Sequence, residues 1–576
     1  MLPATRSGSS LARARTAHFA MPLVALVCAG ILVGGCGHMR TGSAPRGIRS
    51  SGRAELHLPR TEGVPHEPQP LAEAVVPSHP FMAQHGASCM HSDPYTTNTY
   101  RWSGPLGHQP HVDSRSMGFL GGECPTINFD SRGRIITVCV RDRRPSLVLL
   151  DPHTLTLLDR HVLPRRRTPL LRLRKMLQDT SGGAYFYLDH RDRAVIGTAD
   201  GTIDVIAVRE TEEGPRFALD ESIDVRGVLE RADGTLDKLT AVLPDYAGNY
   251  WFSTRFGRVG VVDAKHAVHM LELPGEELQN SFSVAVDGVY VVSDHALYRF
   301  GLATDGAPQV LWREAYDRGQ HTKIGQINQG SGTTPTLLGD DFVAIADNAE
   351  PRMNVLVFRR KAEESSQRAV CKVPVFEPGQ SATENTLIGH GRSLVVENNA
   401  GYDIFRTMRR GKTSAPGIAR IDLRADGSGC DVVWQSREIS QTTVPKLSTS
   451  NGLIYLYTKR PNAPRNGDAY YFTAIDFATG RTVFRVLTGT GVRYDNNWAA
   501  ISLAPDGSAY VGVLNGLLRV RDSDPLERSG LASNEALADG LEPGQPSLGD
   551  AELVSDERWV SDSTPPGFAA LATEQP

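Results

Sequence analysis

The chain has 576 residues, enough for several ordinary domains or one large repeat array. Its 61 basic and 65 acidic residues leave a formal charge of −4, with no basic excess to hold phosphates, so a nucleic-acid partner is disfavoured on charge. The 56 glycines and 36 prolines interrupt short apolar runs, a pattern that suits many strands joined by turns and disfavours long helices.

From the amino end, Arg6, Arg13 and Arg15 precede the apolar run "MPLVALVCAGILV" (Met21–Val33), which is too short to span a bilayer comfortably. It ends in Val33-Gly34-Gly35-Cys36, which resembles the lipobox of bacterial lipoproteins. The resemblance implies a signal peptide over 1–36, cleavage before Cys36 and a diacylglycerol on its thiol; an ordinary secretory signal is the alternative. Gly37 stands where an aspartate would retain the protein at the inner membrane. The expected place is therefore the cell envelope, on the outer membrane facing the periplasm in a diderm organism. Residues 37–80, rich in Pro, Gly, Ser and Arg, read as a flexible tether. Residues 523–576 are acidic, lack apolar periodicity and read as a mostly disordered tail.

With Cys36 lipidated, Cys89, Cys124, Cys139, Cys371 and Cys430 remain for an oxidising compartment. In "CPTINFDSRGRIITVC" a turn between Ser131 and Arg132 sets Cys124 opposite Cys139 in a hairpin, within reach of a disulfide. Cys371–Cys430 is a candidate pair, and the pairing of Cys89, Cys371 and Cys430 stays open. No Cys/His spacing suggests zinc, so the cysteines read as structural.

Between tether and tail one pattern recurs, an inner strand followed by outward strands and tight turns. Its starts fall near Cys124, Gly182, Leu239, Ser281, Thr334, Asn385, Val444 and Trp498. This spacing predicts an all-β chain, a β-propeller over 81–522 with seven to eight four-stranded blades, eight preferred. The last unit lacks a fourth strand, and "NTYRWSGPL" (Asn98–Leu106) is available to close the ring from the amino end. Two stacked sandwiches are the alternative.

"TAIDFATGRTVF" (473–484) carries Ala474, Asp476, Thr479, Gly480 and Phe484 at the spacing of the quinoprotein-alcohol-dehydrogenase-like propeller repeat, and "ARIDLRADGSGCDVVW" (419–434) is a looser copy. The chain thus resembles the pyrroloquinoline-quinone (PQQ)-like superfamily, and its body is similar to secreted bacterial propeller lipoproteins of unassigned function. The resemblance implies a ring. It does not imply redox chemistry, since the adjacent-cysteine clamp of catalytic members and the Cys-x-x-Cys-His of haem attachment are missing. PQQ is therefore disfavoured.

In such a ring the residues at inner-strand starts face the axis. Here they include Glu277, Asn280, Thr333, Thr334, Glu384, Asn385, Thr442, Lys446 and Asp495 to Asn497, and the loops after the second strands add Asp294, Asp347, Asn348, Glu397, Asn398 and Asn399. Converging carboxylate and amide oxygens would suit calcium, and the arrangement resembles that of calcium-dependent lactonases, which implies metal-assisted hydrolysis. The competing reading is turn chemistry, because Asp and Asn side chains bond nearby backbone. The candidate metal or ligand set is Glu384, Asn385, Glu397, Asn398, Asp347 and Asn348. The basic run Arg165–Lys175 reads as a solvated loop, and "DHRDR" (189–193) as a hairpin turn. The expectation is a lipid-anchored binding or scaffold module whose ligand is an envelope protein or a carbohydrate, as for the propeller lipoprotein of the outer-membrane barrel-assembly machinery. A calcium-dependent hydrolase is the alternative, ahead of a PQQ dehydrogenase.

Overall fold

A computed structural model describes residues 45–50, 58–83, 88–118, 122–141, 144–168, 178–361, 367–409, 411–463 and 467–523. The signal sequence, Cys36 and the acidic tail lie outside them.

Eight sheets follow one another along the chain, each built on a four-stranded antiparallel meander. Blades 1 to 7 span 123–162, 187–224, 239–272, 283–315, 336–374, 388–436 and 446–490, and blade 8 begins at 501. The protein is an eight-bladed β-propeller. Its strands show why the sequence takes this form. Second strands such as Phe342–Ala346, Ser393–Glu397 and Ala509–Val513 are buried almost throughout, because both faces pack on neighbouring blades. The fourth strand of blade 4, Pro308–Ala315, alternates exposed positions with half-buried or buried ones, as an edge with one solvated face must.

Aspartates set the turns. Asp189 Oδ1 accepts the amide N–H groups of Arg191 and Arg193, each at 2.9 Å, and Asp245 Oδ1 does the same for Ala247 and Asn249. Between the third and fourth strands of blade 7, Asp476 Oδ1 accepts from Thr479 N (2.7 Å) and Thr479 Oγ1 (2.6 Å), and Gly480 follows with φ +69°. The Trp434 ring of blade 6 lies against Gly480; a Cβ there would sit 2.5 Å from the indole. The Asp-x-x-Thr-Gly stretch is thus a turn on which the preceding blade docks. Phe484 is 1% exposed in the core shared by blades 7, 8 and 1.

The amino-terminal strand that closes blade 8 is His111–Ser116, paired antiparallel with Gly516–Arg521 from His111↔Arg521 to Ser116↔Gly516. Asn98–Leu106, the stretch expected there, lies elsewhere. Thr99–Tyr100 runs parallel to Lys446–Ser448 at the inner edge of blade 7, and Asn98 is fixed at the axis, so the chain needs further residues to reach the rim. The expected tether also differs over its described part. Thr61–Gly63 pairs with Thr482–Thr490, the His66 ring bonds Asn451 O at 2.9 Å, and Leu71 N donates to Thr449 O at 2.8 Å. Its Pro-rich composition suited a tether, but here those residues form a belt hydrogen-bonded to blade 7.

Residues 88–100 form a plug in the axis. Their carbonyls accept amide N–H groups from inner strands around the ring: Ser88 from Leu188 (2.7 Å), Pro94 from Val284 (2.8 Å), Tyr95 from Leu337 (3.0 Å), Thr97 from Gly389 (2.9 Å) and Asn98 from Leu447 (3.0 Å). Ser92, Thr96 and Asn98 take positive φ, a conformation that costs energy outside glycine and that these ring contacts hold in place. Disulfides join Cys124 to Cys139 in the first hairpin of blade 1 and Cys371 to Cys430 across the outer strands of blades 5 and 6, while Cys89 is a buried thiol. Among the described residues no helix is long and apolar enough to cross a membrane.

Candidate functional site

Above the plug the axis opens into a cavity of about 110 Å³. Its floor is Met90 and His91, and its wall includes residues at or just ahead of the starts of inner strands: Glu123, Tyr185, Asn280, Glu384, Val444 and Trp498. A larger cavity of about 520 Å³ lies below, between residues 70–83 and 88–102 of the amino-terminal chain rather than at the ends of the blades.

Ionisable groups gather around the axial cavity. Glu384 is 7% exposed; its Oε2 accepts the Ile327 amide at 3.1 Å, and its Oε1 has no partner among the described residues. Gly332 leaves it room, since a Cβ there would fall 2.7 Å from Oε2. Burial pushes the Glu384 carboxyl up to about 8, and Glu123, whose Oε1 accepts from Asn497 N at 2.8 Å, up to about 8 as well. Both are neutral acids at pH 7. Burial, with the nearby Lys446 cation, pushes His91 down to about 3, so its ring is neutral. Its Nδ1 faces Asn98 Oδ1 at 3.2 Å and its Nε2 faces Thr334 Oγ1 at 3.2 Å. Lys446 donates to Asn98 Oδ1 at 2.5 Å and to Met90 O, and burial lowers it to about 7.

The six candidate residues divide. Glu384 and Asn385 line the cavity. Behind them Glu397 Oε1 accepts from Asn385 Nδ2 (3.0 Å) and Asn399 Nδ2 (2.8 Å), and Asn399 Oδ1 accepts Glu384 N (2.7 Å), so blade 6 forms one buried network. Burial raises the Glu397 carboxyl well above the usual carboxylate range. Asn398 turns away and binds Gln380 O (2.8 Å) and Pro416 O (3.0 Å). Asp347 accepts Asn354 N (2.6 Å) and Asn354 Nδ2 (2.7 Å), and Asn348 donates to Arg318 O (3.0 Å) and His321 O (3.1 Å). Asp347 fits the turn reading, while Asn348 and Asn398 brace the carbonyls of neighbouring loops. Among the described residues no three His, Cys, Asp or Glu side chains converge as a metal set.

Sequence reasoning missed Glu123, His91, Arg166, Asp179 and Trp498, all of which line the cavity. Glu123 had a signal, since it opens the first strand of blade 1 beside Cys124. Arg166, assigned to a solvated loop, is 6% exposed and donates through Nε to Ser181 O at 2.7 Å. Nothing in a basic run marks the residue that turns inward.

No model of a known protein family matches the chain. An uncharacterized protein of Archaeoglobus fulgidus is 27% identical over 337 residues, 52% of this chain and 65% of that relative, so the match spans just under two thirds of the relative's length. Solved structures with a similar fold include Chaetomium thermophilum Sqt1 bound to the N-terminus of ribosomal protein L10, at 11% identity over 72% of this chain and 98% of that one, TM-score 0.43. A streptogramin B lyase is also similar, at 10% identity over 72% and 97%, TM-score 0.32. The eight-bladed assignment rests on the chain's own strand order and register.

Proposed function

We propose that this protein is a membrane-anchored, extracytoplasmic propeller that binds a small ligand in its axial cavity. The observation that carries the reading is the plug: residues 88–100 stop one end of the axis and leave a one-ended pocket walled by inner-strand ends. Two disulfides support an oxidising compartment, and the lipobox-like Val33–Cys36 supports anchoring through Cys36. The likeness of residues 473–484 to quinoprotein repeats supports the ring, where the stretch has a packing role, more than a quinone.

The test is native mass spectrometry of the lipidated protein after mild detergent extraction from membranes. We expect a retained small molecule, lost in Val140→Trp, which fills the cavity from a partly exposed wall position. Extraction with an empty cavity in both proteins would overturn the reading. Cys36→Ala should release the protein into the soluble fraction; persistent membrane association would contradict the anchor.

A hydrolase is the second reading, favoured by the neutral Glu384 carboxyl, a group able to act as a general acid. Calcium held there would displace the Glu384 proton, so its binding would be read as proton release on titration with calcium.

A further inference from the structure

Two polar atoms facing the axial cavity lack partners among the described residues: Glu384 Oε1 and Asn280 Nδ2. Both side chains belong to residues 7% exposed. A buried polar group without a partner costs free energy, and such atoms in a cavity wall are where a ligand's polar atoms fit. Their hydrogen-bonding sense follows from their other contacts. Tyr185 O–H donates to Asn280 Oδ1 at 3.4 Å, leaving the Asn280 N–H groups as donors toward the cavity. Ile327 N–H donates to Glu384 Oε2, so a proton on that carboxyl sits on Oε1, making it a donor too. The remaining wall includes apolar Met90, Pro125, Val140, Val444 and Leu514.

We propose that the cavity takes a neutral, largely apolar molecule bearing carbonyl oxygen, its acceptor oxygen held by the Glu384 carboxyl O–H and the Asn280 Nδ2–H. This rests on the axial cavity being the binding site and adds the class of ligand. The charged and titratable surroundings of Glu384 are Arg255, Tyr185, His91, Glu123 and the Arg166–Asp179 pair. Burial keeps the Tyr185 phenol and the His91 ring neutral, and Arg166 faces its own counter-ion in Asp179. Glu384 and Glu123 are the wall carboxyls whose charge changes in the neutral to mildly alkaline range.

The experiment uses the folded protein, two probes of matched shape and saturation-transfer NMR. Cyclohexyl methyl ketone is the neutral acceptor, and 1-cyclohexylethylamine, a cation, presents donors only. The ketone should bind at about pH 6 and weaken roughly thirty-fold by about pH 9.5 as Glu384 ionises. Glu384→Gln keeps an N–H donor, so it should hold ketone affinity within about threefold and flatten the pH profile, whereas Glu384→Ala should lose at least about tenfold. Ketone binding that is indifferent to pH in the natural protein overturns the inference. So does amine binding that strengthens with pH and vanishes in Glu384→Gln, although that result leaves the cavity as a binding site. Failure of both probes to bind at any pH overturns the inference together with the reading on which it rests.

Discussion

The outer rim and the axis of this propeller are stabilised by different physics. At the rim, antiparallel ladders meet water on one side, and blades 5 and 6 are joined covalently through Cys371–Cys430. At the axis, short inner strands close on a buried plug, and the side chains meeting there include neutral acids from the blades, the plug's neutral His91 ring and a blade 7 lysine held by the plug's Asn98 amide. The rim therefore depends on redox state and little on pH, while the axis depends on proton occupancy. In one chain, a generic ring carries a chemically particular centre.

Removing the rim disulfide alone is the strongest way to separate the two. The Cys371–Cys430 link closes a sequence separation of 59, so Cys371→Ser with Cys430→Ser should cost about 4 kcal/mol in urea unfolding while leaving the axial cavity intact. Asn98→Ala attacks the axis instead. Asn98 Nδ2 donates to Leu387 O at 2.9 Å, and its Oδ1 takes the Lys446 ammonium, so removal leaves the buried cation only Met90 O and should cost about 3 kcal/mol.

The pH dependence sharpens the contrast. Glu384 and Glu123 have folded values near 8, above the 4.5 of the free group, so the folded state binds more protons between those limits. Their contribution is complete below the unfolded value and is lost as pH rises through about 8. Lys446, lowered from 10.5 to about 7, has the opposite sign: its contribution is present above the unfolded value and lost as pH falls through about 7. Glu384→Gln should thus flatten the decline in stability between about pH 5 and pH 8, where one fully displaced carboxyl accounts for about 1.4 kcal/mol per pH unit. Denaturant midpoints across pH measure this, and the double cysteine variant should leave the slope unchanged. The smallest effect is Gly480→Ala, which strains a positive-φ turn and presses on Trp434, costing about 1–2 kcal/mol with no change in pH profile.

The same division explains what the sequence disclosed. Blade starts near Cys124, Leu239, Thr334 and Trp498 were legible because rim and blade physics is local: strand period, aspartate turns, glycine where φ is positive. Even there one copy was disguised. Asp151 Oδ1 accepts from Thr154 N (2.7 Å) and Thr154 Oγ1 (2.8 Å), as Asp476 does from Thr479, but Leu155 takes the glycine position at φ +56°. The axis was legible only in part. Glu384 and Asn385 stood out as polar residues ahead of a strand, while His91 and Arg166 reach the cavity from segments with no repeat to mark them. Asp347 and Asn398 misled because a turn and a ligand site ask for the same side chains.

The closing strand has a consequence in time. His111 pairs with Arg521, so the first strand of the ring to be made waits for almost the last. Until residues 501–521 arrive, blade 8 consists of its outer strand alone, and His111–Ser116 has no strand to pair with. Such distant pairing makes closure a slow step with a large loop to gather. A half-made chain would expose the open edge and apolar inner strands to proteases and to other chains, which ties the survival of this protein to the speed with which its two ends meet.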